Sequence, residues 1–228
     1  QGFAWSIGTR DQQVTRAALA QHVAELAAAT GLPLSVDSER CFPDEQGGVA
    51  RTVQLLAEAG AAGCSIEDYD PVTGRIDDLE RAAERVAIAA RAADGLVLTA
   101  RCENHLYGID DLDDTVQRLV AYADAGADVV YAPGLTDLDR IATVVSAVGK
   151  PVNVLALPSG PTTGELASVG VRRVSTGSLL TRAAYVALVE AAHELMDTGS
   201  SGYARAGLPK ELVDRAFGVR TPGFSGGG

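Results

Sequence analysis

Residues 119–134, LVAYADAGADVVYAPG, run from the end of an Ala-rich amphipathic segment through Gly126 into a short β-branched run. Gly126 sits where a helix ends in a left-handed residue, a conformation that only glycine adopts without steric cost. The same layout recurs around Gly31, Gly60, Gly95, Gly149 and Gly170. Strands are predicted at 34–37, 64–67, 96–101, 128–132, 152–156 and 172–176. They are short and mostly apolar, as strands read when both faces of a parallel sheet are buried. Helices are predicted at 15–29, 48–59, 78–93, 112–125, 137–147 and 179–196, with Asp78, Asp111 and Asp137 as N-caps or first-turn acids. Such alternation with right-handed crossovers leaves two α/β architectures, an open doubly wound sheet and a closed (β/α)₈ TIM-type barrel. The repeat of about 28 residues is close to the roughly 30 per unit of a barrel. Only six strands are legible, so the barrel reading carries the expectation that one to two βα units, roughly 40–60 residues, are absent before Gln1. A six-stranded open sheet accounts for the count without them.

The chain has 228 residues, 30 Asp+Glu against 19 Lys+Arg, and a net charge of −11. That sign speaks against nucleic acid or an anionic membrane surface as a partner. No run of 18 apolar residues offers a transmembrane helix, and no secretory segment opens the chain. Cys41, Cys64 and Cys102 are odd in number and lack CxxC spacing. This disfavours a disulfide framework or zinc finger and fits a reducing cytoplasm. The barrel is assigned to residues 1–200. Residues 201–228 read as a linker, a short amphipathic helix at 209–217 and a flexible end at Gly226–Gly228. The apolar face of that helix, Leu212, Val213 and Phe217, asks for a partner chain.

Ligands of parallel α/β proteins bind at the carboxyl ends of the strands. There the sequence places Asp37-Ser38-Glu39, Glu67-Asp68, Arg101-Cys102-Glu103, Asn153 and Ser175-Thr176-Gly177-Ser178. Carboxylates converging on one sheet edge raise one another's pKa unless a cation neutralises them. All-oxygen ligation favours Mg²⁺ or Mn²⁺, and the absence of His from the set speaks against zinc. Asp37 and Glu39, two apart on one strand, are expected to reach a single ion from the same face. Arg101 reads as a clamp for a substrate carboxylate, against the alternative of pairing with Glu103 or Asp68. Asp68 reads equally as a turn or cap residue. The Ser175–Ser178 stretch reads as an anion nest or a plain turn. His105 could reach the mouth, His22 and His193 read as surface or packing residues, and no pattern marks a cysteine as a nucleophile.

The stretches GFAWSIGTRD (2–11), VDSE (36–39), AGAAGCSIED (59–68), LTARCE (98–103), DAGADVVYAPG (124–134) and PVNVLA (151–156) resemble, in order, the isocitrate lyase/phosphoenolpyruvate mutase superfamily. The resemblance implies a modified (β/α)₈ barrel that chelates a 2-oxo-acid-like substrate on Mg²⁺. It implies a homo-tetramer or dimer exchanging a C-terminal helix. By motif, Asp37 resembles the direct metal ligand, with Glu39, Glu67 and Asp11 as further ligands or holders of bound water. Arg101 resembles the residue gripping the substrate carboxylate. Gly2 and Trp5 border the family's backbone pocket for the oxo acid.

The segment after Asp68, YDPVTGRIDD (69–78), lacks the Lys, Cys and His of the lyase loop and the Lys and Asn-Ser of the phosphonate enzymes. What remains is chemistry a metal performs nearly alone, polarising a 2-oxo group and stabilising an enolate. The expected activity is a Mg²⁺-dependent carbon–carbon lyase or decarboxylase acting on a small 2-oxo or 2-hydroxy dicarboxylate through Arg101 and Glu67, with oxaloacetate-type decarboxylation the specific case. The alternatives are phosphonate or carboxyphosphonate mutase chemistry, and a non-catalytic barrel subunit.

Overall fold

A computed structural model describes residues 1–205 and 207–218. Gly226–Gly228, expected to be a flexible end, lie outside the described residues. The chain forms two compact units, Gln1–Ser178 and a second beginning at Leu179. In the first, a short α1 (Gly2–Ser6) and α2 (Arg16–Ala29) precede β1 (Ser35–Asp37), α3 (Gly48–Glu58) and β2 (Gly63–Glu67). A two-stranded antiparallel hairpin, β3 (Tyr69–Asp70) with β4 (Arg75–Ile76), then leads into α4 (Leu79–Ala92). β5 (Val97–Arg101), a 3₁₀ turn (Asn104–Tyr107), α5 (Leu112–Asp124), β6 (Val129–Tyr131) and α6 (Leu138–Val148) follow. β7 (Val152–Leu155), α7 (Thr163–Ser168) and β8 (Arg173–Ser175) complete the unit.

The caps explain several helix starts. Thr15, Asp111 and Asp137 accept from the backbone N–H three residues on, and Thr162 with Glu165 forms a capping box. Asp78 occupies the N-cap position without a side-chain cap bond. Gly60, Gly95, Gly126, Gly149 and Gly170 are left-handed as expected. Gly31 is not, because α2 already ends at Thr30 in extended backbone.

The parallel strands pair in the order β1-β2-β5-β6-β7-β8. A doubly wound sheet reverses its order at a switch point; this one does not, which leaves the singly wound half-barrel. Neighbouring helices pack in the same succession, α2 on α3, α3 on α4, α4 on α5 and α5 on α6. Val53 and Leu56, Val86 and Ala89, Leu119, and Ile141 and Val144 from these helices share one core with Val36, Cys64, Ile66, Leu98, Ala100, Val130, Val152 and Val154.

That core holds one face of each strand. The other face is mostly polar, with Val97, Val129 and Leu155 as its apolar members. The expectation of strands buried on both faces therefore holds for β2 and β6, while that of strands apolar on both sides is corrected. Register pairs Asp37 with Ser65 and Ser65 with Thr99; one pleat further on it pairs Glu67, Arg101, Tyr131, Asn153 and Arg173 in turn. Residues two apart share a face, so both rungs point away from the helices. Arg173 Nη2 on β8 donates to Thr99 Oγ1 on β5 at 2.8 Å. Three strand spacings in a flat sheet are roughly 14 Å, beyond an arginine's reach, so the polar face is concave.

In the second unit, α8 (Leu179–Thr198) ends where the Glu194 carboxylate accepts from Ser200 Oγ and from the Gly202 and Tyr203 backbones. A 3₁₀ turn (Gly202–Arg205) and α9 (Lys210–Phe217) follow. The apolar residues Leu212, Val213 and Phe217 of α9 are exposed.

Candidate active site

The strand ends bring Asp37, Glu67, Arg101 and Glu103 together. Arg101 closes β5, and its guanidinium meets three acids: Nη1 donates to Asp37 Oδ1 at 2.9 Å, Nε donates to Glu103 Oε1 at 2.8 Å, and Nη2 is ion-paired with Glu67 Oε2 at 3.2 Å. Its Cζ also lies 5.6 Å from the Tyr131 ring centroid. Acids gathered this closely call for a cation between them, and the Arg101 guanidinium is the cation among these.

The acids differ in environment. The Glu67 and Glu103 side chains are 4% and 1% exposed, whereas Asp37 is 63% exposed. Burial pushes both glutamates above the usual carboxylate range, Glu67 well above it, and neighbouring acids reinforce the push while Arg101 opposes it. Desolvation acts to raise Asp37, yet the Arg101 charge, the Glu39 backbone N–H, the N-terminal charge and the Arg101 hydrogen bond together hold this carboxylate below its ordinary value.

Glu39 does not extend β1. The strand stops at Asp37, Ser38 Oγ donates to the Ser65 carbonyl at 2.6 Å, and Glu39, Cys41 and Phe42 take positive φ. The same-face expectation therefore fails for this pair, and the Glu39 backbone N–H instead donates to Asp37 Oδ1 at 3.3 Å. Burial, then the carboxylates of Asp37 and Asp11, raise Glu39 to about 7. Asp11 lies 3.0 Å from the Gln1 nitrogen. Gly2 opens α1, and Trp5 on the same helix is 36% exposed.

Mg²⁺ fits the chemistry of this donor set. The acids are all-oxygen donors, and Glu39 is raised by burial and then by the repulsion of Asp37 and Asp11, both of which a hard cation offsets. The Asp37 bonds from Arg101, Glu39 and Ser65 all fall on Oδ1, which leaves Oδ2 of this exposed side chain for a ligand. Among the described residues no three acids, histidines or cysteines are preassembled around one point. Mg²⁺ commonly takes one or two carboxylates and keeps several waters, so it does not require such a cage.

Arg118, Tyr122, Arg85 and Arg40, which carry no distinguishing pattern in the sequence, support the cluster. Buried Asp68 is neither turn nor cap: it accepts from Tyr122 Oη at 2.6 Å, Arg118 Nη1 at 3.3 Å and the Glu103 backbone N–H at 2.9 Å. Arg85 Nη2 donates to the Glu67 carbonyl at 2.9 Å and to Asp77 at 2.6 Å, and Arg40 bridges Asp70 and Asp77. These bonds anchor the β3–β4 hairpin behind Glu67. Tyr69 and Tyr107 stack with centroids 3.6 Å apart. Their hydroxyl-bearing rings had no distinguishing pattern in the sequence.

Other candidates lie elsewhere. His105 bonds Thr115 Oγ1 at 3.1 Å and lines a separate cavity of about 180 Å³ with Asp110, Thr136 and Arg140. His22 stacks on Phe3. All three cysteines are buried, and burial pushes their thiols up, Cys64 to about 11. Ser178 Oγ donates to Gln1 Oε1, and Ser175 Oγ accepts from buried Asn153.

The family model described as phosphoenolpyruvate phosphomutase matches residues 1–196. An uncharacterised protein of Mycobacterium tuberculosis is 37% identical over 165 residues, covering 72% of this chain. The chain spans 62% of the length of that relative. An oxaloacetate decarboxylase of Rhodopseudomonas palustris is 31% identical over 212 residues, covering 89% of this chain and 72% of its own. A crystal structure from Burkholderia cenocepacia, provisionally named a lyase/mutase, is 48% identical with a TM-score of 0.89, covering 96% of this chain and 81% of its own. The fold alone is shared with a phosphonopyruvate hydrolase solved with oxalate and Mg²⁺, at 24% identity and TM-score 0.78, covering 95% of this chain and 80% of its own. No described helix is long and apolar enough to cross a membrane.

Proposed function

The chain belongs to the phosphoenolpyruvate phosphomutase family, and on that premise we propose that it is a Mg²⁺-dependent carbon–carbon lyase acting on a small 2-oxo or 2-hydroxy dicarboxylate, oxaloacetate decarboxylation being the specific case. The observation that carries this reading is the gathering of Asp37, Glu67 and Glu103 around Arg101 at the carboxyl end of the concave polar face. The oxaloacetate decarboxylase among the relatives supports it. So do the buried thiols, which are poorly placed to act as loop acids.

Asp37 would hold the metal directly, with Glu39, Glu67 and Asp11 as further ligands or as holders of its water. Bound there, Mg²⁺ supplies Lewis-acid polarisation of the 2-oxo group and offsets developing negative charge. Arg101 turns from Asp37, its most exposed partner, to a substrate carboxylate and keeps Glu67 and Glu103 as fixed anchors. Glu67, the ionised partner of Arg101 at rest, has its proton affinity raised by burial, so it would take up a proton from solvent during the reaction and return it to the carbon that loses its bond. Gly2, Trp5 and Asn153 border the substrate. The exposed apolar face of α9 supports association with further copies of the chain, as a dimer or tetramer.

Oxaloacetate and phosphonopyruvate supplied side by side with Mg²⁺ test the assignment. Turnover of oxaloacetate is expected, falling roughly 100–1000-fold in Asp37→Asn. Turnover that survives this substitution refutes the site. Consumption of phosphonopyruvate alone favours carbon–phosphorus chemistry, and failure to bind Mg²⁺ and oxalate favours a non-catalytic barrel.

A further inference from the structure

The concave face carries a second arginine whose surroundings are the reverse of those of Arg101. Arg173 lies on the same rung, three strands away, and is partly buried. Arg101 meets three carboxylates; Arg173 meets none among the described residues. Its Nε donates to Asn153 Oδ1 at 3.1 Å and its Nη2 to Thr99 Oγ1 at 2.8 Å, both neutral acceptors. Asn153 and Thr99 are 1% exposed, and Asn153 is itself fixed by donating to Ser175 Oγ at 3.0 Å. A guanidinium has five N–H donors, so the Nη1 edge stays available in a fixed orientation. A partly desolvated arginine with only neutral partners lacks the anion that ordinarily offsets its burial.

From this geometry we infer that Arg173, held by Asn153 and Thr99, is a carboxylate subsite that receives the end of a dicarboxylate remote from the metal. The inference rests on the proposed reading for the identity of the metal-bound end. Thr99 pairs in register with Ser65, and Ser65 with Asp37, so the guanidinium reaches a point two strands, about 10 Å, from the Asp37 backbone. A metal–oxygen bond of about 2 Å, a short dicarboxylate and a hydrogen bond of about 3 Å bridge such a distance. Arg101, already shared among three acids, is the poorer receptor for this second charge. Arg173 therefore selects dicarboxylates over monocarboxylates, and Asn153 is a positioning residue that aims it.

Titration calorimetry on the full chain in Mg²⁺ tests this with two probes. Succinate has two carboxylates and no 2-oxo group; oxalate reports the metal end. Arg173→Gln is expected to weaken succinate roughly 10–100-fold, the effect of losing a charge-assisted hydrogen bond, and to change oxalate affinity less than about twofold. Arg173→Lys keeps the charge and retains most of the succinate affinity, which guards against a folding defect in the glutamine variant. Succinate that fails to bind the unaltered chain, or binds Arg173→Gln equally well, overturns the subsite. Parallel loss of both probes in both variants also overturns it, because Arg173 is then structural. Arg173-dependent succinate binding without any oxalate binding leaves the subsite standing and sinks the metal-centred reading.

Discussion

Removing the charge of Arg101 while keeping its length, as Arg101→Met does, strands two carboxyls of very different cost from the third. Asp37 is 63% exposed, so its ion pair contributes at most about 1 kcal/mol. Glu67 and Glu103 are 4% and 1% exposed, and breaking such a buried pair costs about 3–5 kcal/mol. The variant can escape by protonating one glutamate. From the ordinary value of 4.5, that uptake costs about 4.8 kcal/mol near pH 8 but only about 1.4 kcal/mol near pH 5.5.

The native variant then binds more protons than its unfolded chain, so its stability falls as pH rises above the unfolded value. The loss relative to the unaltered chain is accordingly about 3–5 kcal/mol near pH 8 and about 1–2 kcal/mol near pH 5.5. Urea unfolding at the two pH values measures it. A loss below 1 kcal/mol, or one equal at both, refutes the assignment of Arg101 as the counter-ion of two buried glutamates.

Glu39, raised to about 7 from an ordinary 4.5, ionises at a cost to the native state that grows between those two pH values. Glu39→Gln should therefore melt higher than the unaltered chain above pH 7 and equally near pH 4.5, and Mg²⁺ should raise the melting temperature of the unaltered chain more than that of the variant. Tyr122→Phe removes the hydroxyl donated to buried Asp68 at 2.6 Å and should cost about 1.5–3 kcal/mol in urea unfolding. Gly134 has φ of +89°, and a Cβ there would stand 2.9 Å from the His105 and Leu106 backbones. Gly134→Ala should lose about 2 kcal/mol or more, and an unchanged unfolding midpoint would contradict that packing.

The helix, glycine and strand cadence was legible because it depends on local sterics, on periodicity and on caps such as Asp111 and Asp137. Of the acids' partners, only the pairing of Arg101 with Glu103, two residues on, was legible; the others are fixed by tertiary approach. Arg118 and Tyr122 sit on α5 among residues that read as an ordinary amphipathic face, and only packing brings them to Asp68. The β3–β4 hairpin has strands of two residues, too short to show alternation.

The strands hid more. Runs such as Gly63–Glu67 and Val97–Arg101 alternate apolar residues facing the helices with Ser65, Glu67, Thr99 and Arg101 facing inward. Five residues are few to distinguish alternation from a uniformly buried run, and the abundance of small residues blurs it further. Arg173 is the clearest loss: read as part of a strand end, it is one of two inward-facing arginines on the rung, and the one with no acid beside it. The contrast between the two is a statement about charge. Three anions around Arg101 repel a further anion unless a divalent cation joins them, whereas Arg173 attracts one unaided. A ligand negative at both ends satisfies both conditions, with a metal required at one end only.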